Sequence, residues 1–284
     1  MRKVIDYAQL RVTANRNRIK ILDMVYQGAS GHIGGALSAI DVVTYLGECV
    51  IDYAEENRDR FILSKGHAVP ALYAELHELG YIRDEELLTF RKINSRLQGH
   101  TNLLKLSQTD YTSGLLGQGL SYGVGVALAQ RLKNTMKTVY VMIGDGEMHE
   151  GQIWEALMEA GHYKLDNLVL IIDRNGLCSH QPVENVISIE PLKDRLESFG
   201  WNVKEIDGHS MEQIHSCITS LHSQYGKPKC IVSHTVKGKG VSFMENNGKW
   251  HRSVPTEDEY LRAREELIKD GGLNDGTRLY IHSS

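Results

Sequence analysis

The chain has 284 residues, a formal net charge of −4 and an isoelectric point near 6.4. This charge balance lacks the strong positive excess of proteins that bind nucleic acids or anionic membranes. No apolar run approaches the ~20 residues that span a bilayer, and the charged N-terminus lacks the apolar core of a signal peptide. The four cysteines have no paired metal-ligand spacing, so we expect reduced thiols and a cytoplasmic protein.

Apolar periodicity, interrupted by glycine-rich and polar turns, predicts helices and strands that alternate along the chain. A long helix over residues 3–27 leads into a glycine-rich loop around His32 and a second helix over about 38–49. The other predicted helices cover residues 69–79, a stretch that opens near 119, and 147–164, 192–199, 211–221 and 255–269. The predicted strands begin at residue 60 and cover 138–143, 168–172, 201–206 and 229–235.

This alternation favours one doubly wound α/β domain, with a mainly parallel sheet flanked by helices. We assign residues 1–270 to that domain and residues 271–284 to a C-terminal tail. The segment 138–175 should form a strand–helix–strand unit with parallel strands. Its two polar turns then fall at the carboxyl ends of the strands, where open α/β sheets bind ligands.

Polar residues occupy both of these turns. Gly144-Asp145-Gly146 follows the first strand directly, and Asn175 follows the second. A carboxylate and an amide side by side, with glycines that let a ligand approach the backbone, suit a hard cation that holds phosphates. Asp145 could instead simply cap the next helix, but capping does not require an asparagine at the end of the following strand.

Four histidines lie in predicted loops. His32, His67 and His100 each follow a glycine, and His251 lies in a polar loop after the last strand. Imidazoles that meet at one edge of the sheet could bond hydroxyls or phosphates and move protons near pH 7. A zinc site is the competing use, although no HxxxH or HxH pair places two ligands on one element.

Six segments, in this order and with fitting gaps, resemble the transketolase family in its N-terminal, thiamine diphosphate-binding half. The resemblance covers about residues 8–268. It implies the thiamine diphosphate-binding fold and transfer of a two-carbon ketol unit from a ketose, or ketose phosphate, to an aldose. The segments are Ser30-Gly31-His32, Leu63-Ser64-Lys65-Gly66-His67-Ala68, Gln98-Gly99-His100, Ser113-Gly114-Leu115-Leu116-Gly117-Gln118-Gly119, Gly144-Asp145-Gly146-Glu147 and Trp250-His251.

The resemblance implies a metal site beside the cofactor. Asp145, Asn175 and the backbone carbonyl of Leu177 would bind Mg²⁺ or Ca²⁺, and the backbone N–H of Gly146 would approach the diphosphate. The residues that the resemblance places at the cofactor are His67, Gly114, Leu115, Leu116, Gly144, Asp145, Gly146, Glu147, Asn175 and His251.

The resemblance also implies catalytic residues. His32 and His100 would hold hydroxyls of the donor sugar. His67 and His251 would lie on the diphosphate side, His251 also near the reacting carbon. Glu150 would take part in a carboxylate network at a subunit interface.

Several positions depart from the family pattern, and three of them lie beside the loop histidines. Ile33 and Thr101 stand where the family usually has proline, and Arg252 stands where it usually has glycine. The metal and diphosphate positions are intact, while neighbours on the substrate side have changed. This fits a transketolase that acts on an unusual sugar, although ordinary divergence explains it as well. The sequence itself names neither the donor nor the acceptor.

A full-length transketolase would continue with a pyrimidine-binding domain, which supplies the glutamate that activates the cofactor, and a C-terminal domain. We therefore expect the N-terminal subunit of a split transketolase, paired with a separate chain as an α₂β₂ heterotetramer and inactive alone. One alternative is the cofactor subunit of another thiamine diphosphate enzyme, of the 2-oxo acid dehydrogenase or deoxyxylulose phosphate synthase type. The other is a non-catalytic cofactor-binding subunit.

Overall fold

The computed structural model of the protein describes residues 5–135 and 137–273. Within these ranges, every helix and strand predicted from the sequence is present. The strands are β1 (Arg60–Leu63), β2 (Val139–Gly144), β3 (Leu168–Arg174), β4 (Leu177–Cys178), β5 (Gln181–Pro182), β6 (Asn202–Asp207) and β7 (Lys229–His234). The helices are α1 (Tyr7–Gln27), α2 (Ile33–Cys49), α3 (Val69–Glu78), α4 (Asp84–Leu87), α5 (Gln118–Leu132), α6 (Gly151–His162), α7 (Val183–Val186), α8 (Leu192–Ser198), α9 (Met211–His222) and α10 (Glu257–Asp270).

Five of the strands form one sheet in the order β1-β2-β3-β7-β6, and every neighbouring pair is parallel. The predicted α/β class with a mainly parallel sheet is therefore confirmed. The sequence did not predict β4 and β5, which pair as a two-residue antiparallel ladder directly after β3.

Both faces of the sheet are buried, which explains why its strands read as unbroken apolar runs. Along β2, Tyr140 and Met142 join the hydrophobic cluster on one face, while Val139 and Val141 join the cluster on the other. Helices α1, α2, α3, α9 and α10 cover the first face, and α5, α6 and α8 cover the second. The loops at the carboxyl edge stay free to carry functional groups.

Helix α2 begins at Ile33, so the expected start near residue 38 was wrong. Two of the glycines that indicated a loop, Gly34 and Gly35, lie in its first turn. A Cβ on Gly34 would lie 2.9 Å from the carbonyl oxygen of Trp250 and 3.1 Å from Cγ of Lys237. Glycine is needed here because the helix start approaches the late loop closely.

Two other helix starts differ from the sequence prediction. Helix α1 begins at Tyr7 rather than residue 3, and the Asp6 side chain caps it by accepting a hydrogen bond of 3.0 Å from the Gln9 N–H. Helix α6 begins at Gly151 rather than residue 147, because a 3₁₀ turn, Asp145–His149, intervenes. That turn keeps Asp145 at the edge of the sheet.

The chain continues beyond α10 to a predicted tail. The boundary after residue 270 stays a prediction, because residues 274–284 lie outside the described ranges. Among the described helices, none combines the length and the apolar character that crossing a membrane requires.

Candidate active site at the carboxyl edge of the sheet

The two polar turns meet as the parallel topology predicts. Gly144 pairs with Asp173 in the β2–β3 register, so the residues that follow each strand are neighbours. The Asp145 carboxylate accepts hydrogen bonds from the backbone N–H of Gly176 at 2.6 Å and of Gly146 at 2.8 Å. Arg174 donates to the same carboxylate at 3.2 Å. Asp145 is therefore fixed in the turn that follows the adjacent strand.

Asp145 is a carboxylate that a cation would stabilise. It is only 1% exposed, and burial, followed by the nearby charge of Asp173, raises its pKa. The side-chain oxygen of Asn175 and the backbone carbonyl of Leu177 lie in the next turn, where the Leu177 N–H donates to Asn175 Oδ1 at 3.2 Å. Three oxygen ligands from two adjacent turns suit a hard divalent cation. Their role as metal ligands stays a prediction.

Two buried lysines flank these oxygen atoms, and neither was predicted from the sequence to have a role. Lys65 forms a buried ion pair with Asp173. Lys237 donates to the carbonyl oxygens of Leu177 at 3.3 Å and Ser179 at 3.1 Å. Burial, together with the charge of Lys65, lowers the pKa of Lys237 to about 8. A sequence signal existed, since Lys65 lies inside a quoted motif and Lys237 follows the last strand.

Three of the four loop histidines come together beside these lysines. The ring centroids of His32 and His67 are 5.2 Å apart, those of His32 and His251 are 5.2 Å apart, and those of His67 and His251 are 5.5 Å apart. His100 lies next to the Gly66 turn, because its Cδ2 is 3.3 Å from where a Cβ on Gly66 would sit. We call these four residues the histidine pocket.

All four imidazoles are neutral near pH 7. Burial, and then the charge of Arg91, lowers the pKa of His32 to about 4. Burial and the charge of Lys237 lower the pKa of His251 to about 3. Burial is also the main cause that lowers the pKa of His67 and of His100.

The histidine pocket has polar atoms available for a ligand. Nδ1 of His32 and Nδ1 of His251 are buried and have no hydrogen-bond partner among the described residues. Buried polar atoms are rarely left without a partner, because desolvation costs roughly 1–3 kcal/mol for each. These two nitrogens are therefore suited to a polar ligand such as a polyhydroxylated sugar.

Zinc was the competing use of the loop histidines. No group of three His, Cys, Asp or Glu side chains within residues 5–135 and 137–273 is arranged to hold a metal ion. The Asp145 set is of another kind, because it combines one carboxylate with an amide and a carbonyl.

The glycine-rich segment before α5 opens towards solvent. A Cβ on Gly114 would meet no atom within 4 Å. Leu115 is 76% exposed and Leu116 is 38% exposed. This open segment leaves room for a flat ring beside the polar pocket. The predicted contact of the segment with the cofactor requires such room. That assignment stays a prediction.

Glu147 is buried and holds three segments of the site together. Its carboxylate accepts hydrogen bonds from the Ser64 hydroxyl at 2.5 Å, the Gly117 N–H at 2.9 Å and the Gly144 N–H at 3.3 Å. These contacts support a positioning role rather than a direct contact with the cofactor. Glu150 is exposed at the start of α6, where its interface role remains to be tested.

The architecture and site are those of a thiamine diphosphate enzyme, and comparison with known families agrees. The family model described as "Transketolase, thiamine diphosphate binding domain" matches residues 10–275. The chain belongs to the transketolase family.

Solved transketolases have the same fold. The transketolase of Leishmania mexicana superimposes with a TM-score of 0.88 at 27% identity, over 96% of this chain and 43% of that chain. The enzyme of Campylobacter jejuni gives a TM-score of 0.87 at 32% identity, over 95% of this chain and 44% of that chain. The chain therefore spans less than half the length of these enzymes.

Relatives of similar length are named as transketolase subunits. A subunit of the apulose-4-phosphate transketolase of Phocaeicola vulgatus is 42% identical, over 91% of this chain and 93% of that protein. The 6-deoxy-6-sulfo-D-fructose transketolase subunit SqwG of Clostridium sp. (strain MSTE9) is 39% identical, over 92% of this chain and 97% of that protein. The expected transketolase-type transferase, as the N-terminal subunit of a split enzyme, is confirmed.

Proposed function

We propose that this chain binds thiamine diphosphate through Mg²⁺ and pairs with a second polypeptide that carries the pyrimidine-binding domain, forming an α₂β₂ assembly in the cytoplasm. The assembled enzyme would transfer a two-carbon ketol unit from a ketose with an anionic group to an aldose. The observation that carries this proposal is the position of Asp145 and Asn175 in adjacent turns, beside the neutral imidazoles of the histidine pocket.

The residues present fit this cofactor and its metal. Asp145, Asn175 and the Leu177 carbonyl would hold the metal, and the Gly146 N–H would face the diphosphate. The buried ammonium of Lys237 adds a positive charge next to that position. When bound, thiamine diphosphate supplies a nucleophilic carbon and a sink for the negative charge that develops as the two-carbon unit is cleaved.

The histidine pocket supplies orientation and hydrogen bonds. A neutral imidazole has one N–H donor and one acceptor nitrogen, so it can hold a hydroxyl from either side. His32 and His100 would orient the sugar hydroxyls. Because its lowered pKa keeps His251 neutral, its N–H would donate to the carbonyl oxygen of the ketose without first being protonated.

The split-enzyme proposal is tested by reconstitution. The purified chain should show no ketol transfer with thiamine diphosphate and Mg²⁺ present, because the activating glutamate would come from the pyrimidine-binding domain of the partner. Addition of the separately purified partner should restore turnover, measured as consumption of the ketose coupled to formation of the lengthened acceptor. Turnover by the single chain at the rate of the pair would overturn the proposal.

A further inference from the structure

Arg174, the last residue of β3, joins three carboxylates from two parts of the chain. Nη1 donates to Asp145 at 3.2 Å, in the turn after β2. Nη2 donates to Glu184 at 2.9 Å and to Glu190 at 3.0 Å, both well beyond the end of β3. The Arg174 side chain is only 13% exposed. One guanidinium therefore connects a predicted metal ligand with a distant stretch of the chain.

That stretch lies against the turn predicted to face the diphosphate. We call residues 176–190 the cover segment. A Cβ on Gly146 would lie 3.0 Å from Sγ of Cys178 in this segment. Nε2 of His149 lies 2.8 Å from the carbonyl oxygen of Ile187, near the other end of the segment. The cover segment therefore packs directly on the Gly146 turn.

The cover segment has little apolar packing of its own. Of residues 176–190, all of which the structure describes, only Val183 and Ile189 are buried hydrophobic side chains. Its helix α7 has a single turn, and its β4–β5 ladder pairs two residues on each strand. Elements this short are not stable by themselves. Polar contacts to the rest of the protein must therefore hold the segment in place.

We propose that Arg174 is a positioning residue that fastens the cover segment to Asp145, so that the Asp145 carboxylate and the Leu177 carbonyl are held together before the metal binds. This inference rests on the proposed function and adds a residue that is not itself a metal ligand. Arginine suits the role because its planar guanidinium donates to several carboxylate oxygens in a fixed geometry, whereas a lysine ammonium is a compact point charge.

A simpler role for Arg174 predicts the opposite effect on the metal. If Arg174 only neutralised Asp145, it would repel a cation at the same carboxylate, and its removal would strengthen Mg²⁺ binding. If Arg174 positions Asp145 and the cover segment, its removal weakens Mg²⁺ binding and loosens the segment. The direction of the change therefore separates the two roles.

The first test measures hydrogen exchange in the full chain without cofactor or partner. The amides of Val183 and Ile187 donate to carbonyl oxygens within the cover segment at 3.0 and 3.2 Å. Arg174→Gln should speed their exchange at least about tenfold. Arg131→Gln, which removes an arginine with three hydrogen bonds near the amino end of β3, should leave these rates unchanged. Equal rates in the wild type and Arg174→Gln would overturn the proposal.

A second variant removes the other end of the same bridge. The double substitution Glu184→Gln and Glu190→Gln leaves the contact between Arg174 and Asp145 intact. It should speed exchange of the same two amides, because the cover segment then loses its ion pairs with Arg174. This variant keeps the test decisive if Arg174→Gln fails to fold. Exchange at the wild-type rate in the double variant would overturn the proposal.

The third test titrates the assembled complex with Mg²⁺ at a fixed concentration of thiamine diphosphate, and measures cofactor binding. Arg174→Gln should raise the Mg²⁺ concentration at half-maximal binding at least about tenfold, and Arg174→Lys should recover little of this loss. Arg131→Gln should bind as the wild type does. An unchanged or lower Mg²⁺ requirement in Arg174→Gln, or full recovery in Arg174→Lys, would refute the positioning role. If the wild-type complex binds no thiamine diphosphate, the proposed function fails, and the exchange rates still decide whether Arg174 fastens the segment.

Discussion

Two of the places where the protein buries charge differ in how that charge is balanced. Between α1, α2 and the loop before α9, Arg18 pairs with Asp41, which also bonds Nδ1 of His209 at 2.7 Å. Nε2 of the same imidazole accepts from the Val236 N–H at 2.9 Å. We call this set the Asp41 network. Each of its side-chain groups has a partner within the protein.

The carboxyl edge of the sheet is different. Among the described residues, the Lys237 ammonium donates hydrogen bonds only to the carbonyl oxygens of Leu177 and Ser179, and burial raises the pKa of Asp145. In the histidine pocket, Nδ1 of His32 and Nδ1 of His251 lack partners among the described residues. In the Asp41 network, the polar side chains form hydrogen bonds and ion pairs with one another, as in a structural network. In the histidine pocket, two buried nitrogens have no partner among the described residues, as in a binding site. The two are linked, because His209 holds the residue before Lys237.

The largest effect on folding should come from Asp41→Asn. Burial raises the pKa of Asp41, but Arg18 and His209 more than offset this and hold the carboxylate ionised. Removing its charge leaves Arg18 buried without compensation, so we expect a loss of about 3–5 kcal/mol in the free energy of unfolding. Chemical denaturation measures this, with the exposed Asp52→Asn as control. A loss below about 1 kcal/mol would show that the Asp41 carboxylate does not compensate the charge of Arg18.

Asp145→Ala should give the opposite result, a large loss of binding with little loss of stability. Without its one carboxylate ligand, Mg²⁺-dependent affinity of the assembled complex for thiamine diphosphate should fall at least about 100-fold, or ~3 kcal/mol. Calorimetric titration measures the affinity. Asp207→Ala, which removes a carboxylate from the same edge at the end of β6, should bind normally. Unchanged affinity in Asp145→Ala would refute the metal assignment.

The sequence predicted the parts of the site that lie at strand ends. Asp145 and Asn175 could be placed as neighbours because apolar runs locate β2 and β3, and parallel strands bring their carboxyl ends together. The loop histidines could be recognised through the glycines that precede them. These features depend on local sequence and on one topological rule.

Contacts between distant segments could not be predicted in this way. Nothing local pairs Lys65 with Asp173 or brings His209 to Asp41, since each pair joins different elements through the packed core. Gly34 was predicted to lie in a loop but lies in a helix. A glycine is needed there because Trp250, far along the chain, approaches it closely, and the local sequence does not show this contact. Burial, which sets the pKa of each site histidine, likewise exists only in the folded protein.

Glu75, on α3, is a buried carboxyl group that forms no ion pair with another described residue. Burial, followed by the charge of Glu48, raises its pKa to about 8, and Asn17 donates to it at 2.7 Å. Its pKa is higher in the folded chain than in the unfolded chain. Its contribution to stability is therefore present at acid pH and lost as the pH rises through about 8.

Glu75→Gln should remove this dependence. The stability difference between variant and wild type should shift in favour of the variant by about 2–3 kcal/mol between pH 6 and pH 9. Denaturation curves at several pH values measure it, and the comparison cancels other titrating groups. If the free energies of unfolding of the two proteins changed with pH in parallel, burial would not raise the pKa of Glu75 in the folded protein.

The smallest effect should come from an exposed pair at the same edge of the sheet. Glu205 on β6 bonds Nε2 of His234 at 2.8 Å, and the two side chains are 45% and 54% exposed. Water screens such pairs, so Glu205→Gln should change the free energy of unfolding by less than about 1 kcal/mol. Binding of thiamine diphosphate should not change, because this pair lies outside the metal ligands and the histidine pocket. A binding defect as large as that of Asp145→Ala would mean that position along this edge, rather than burial and unmatched charge, defines the site.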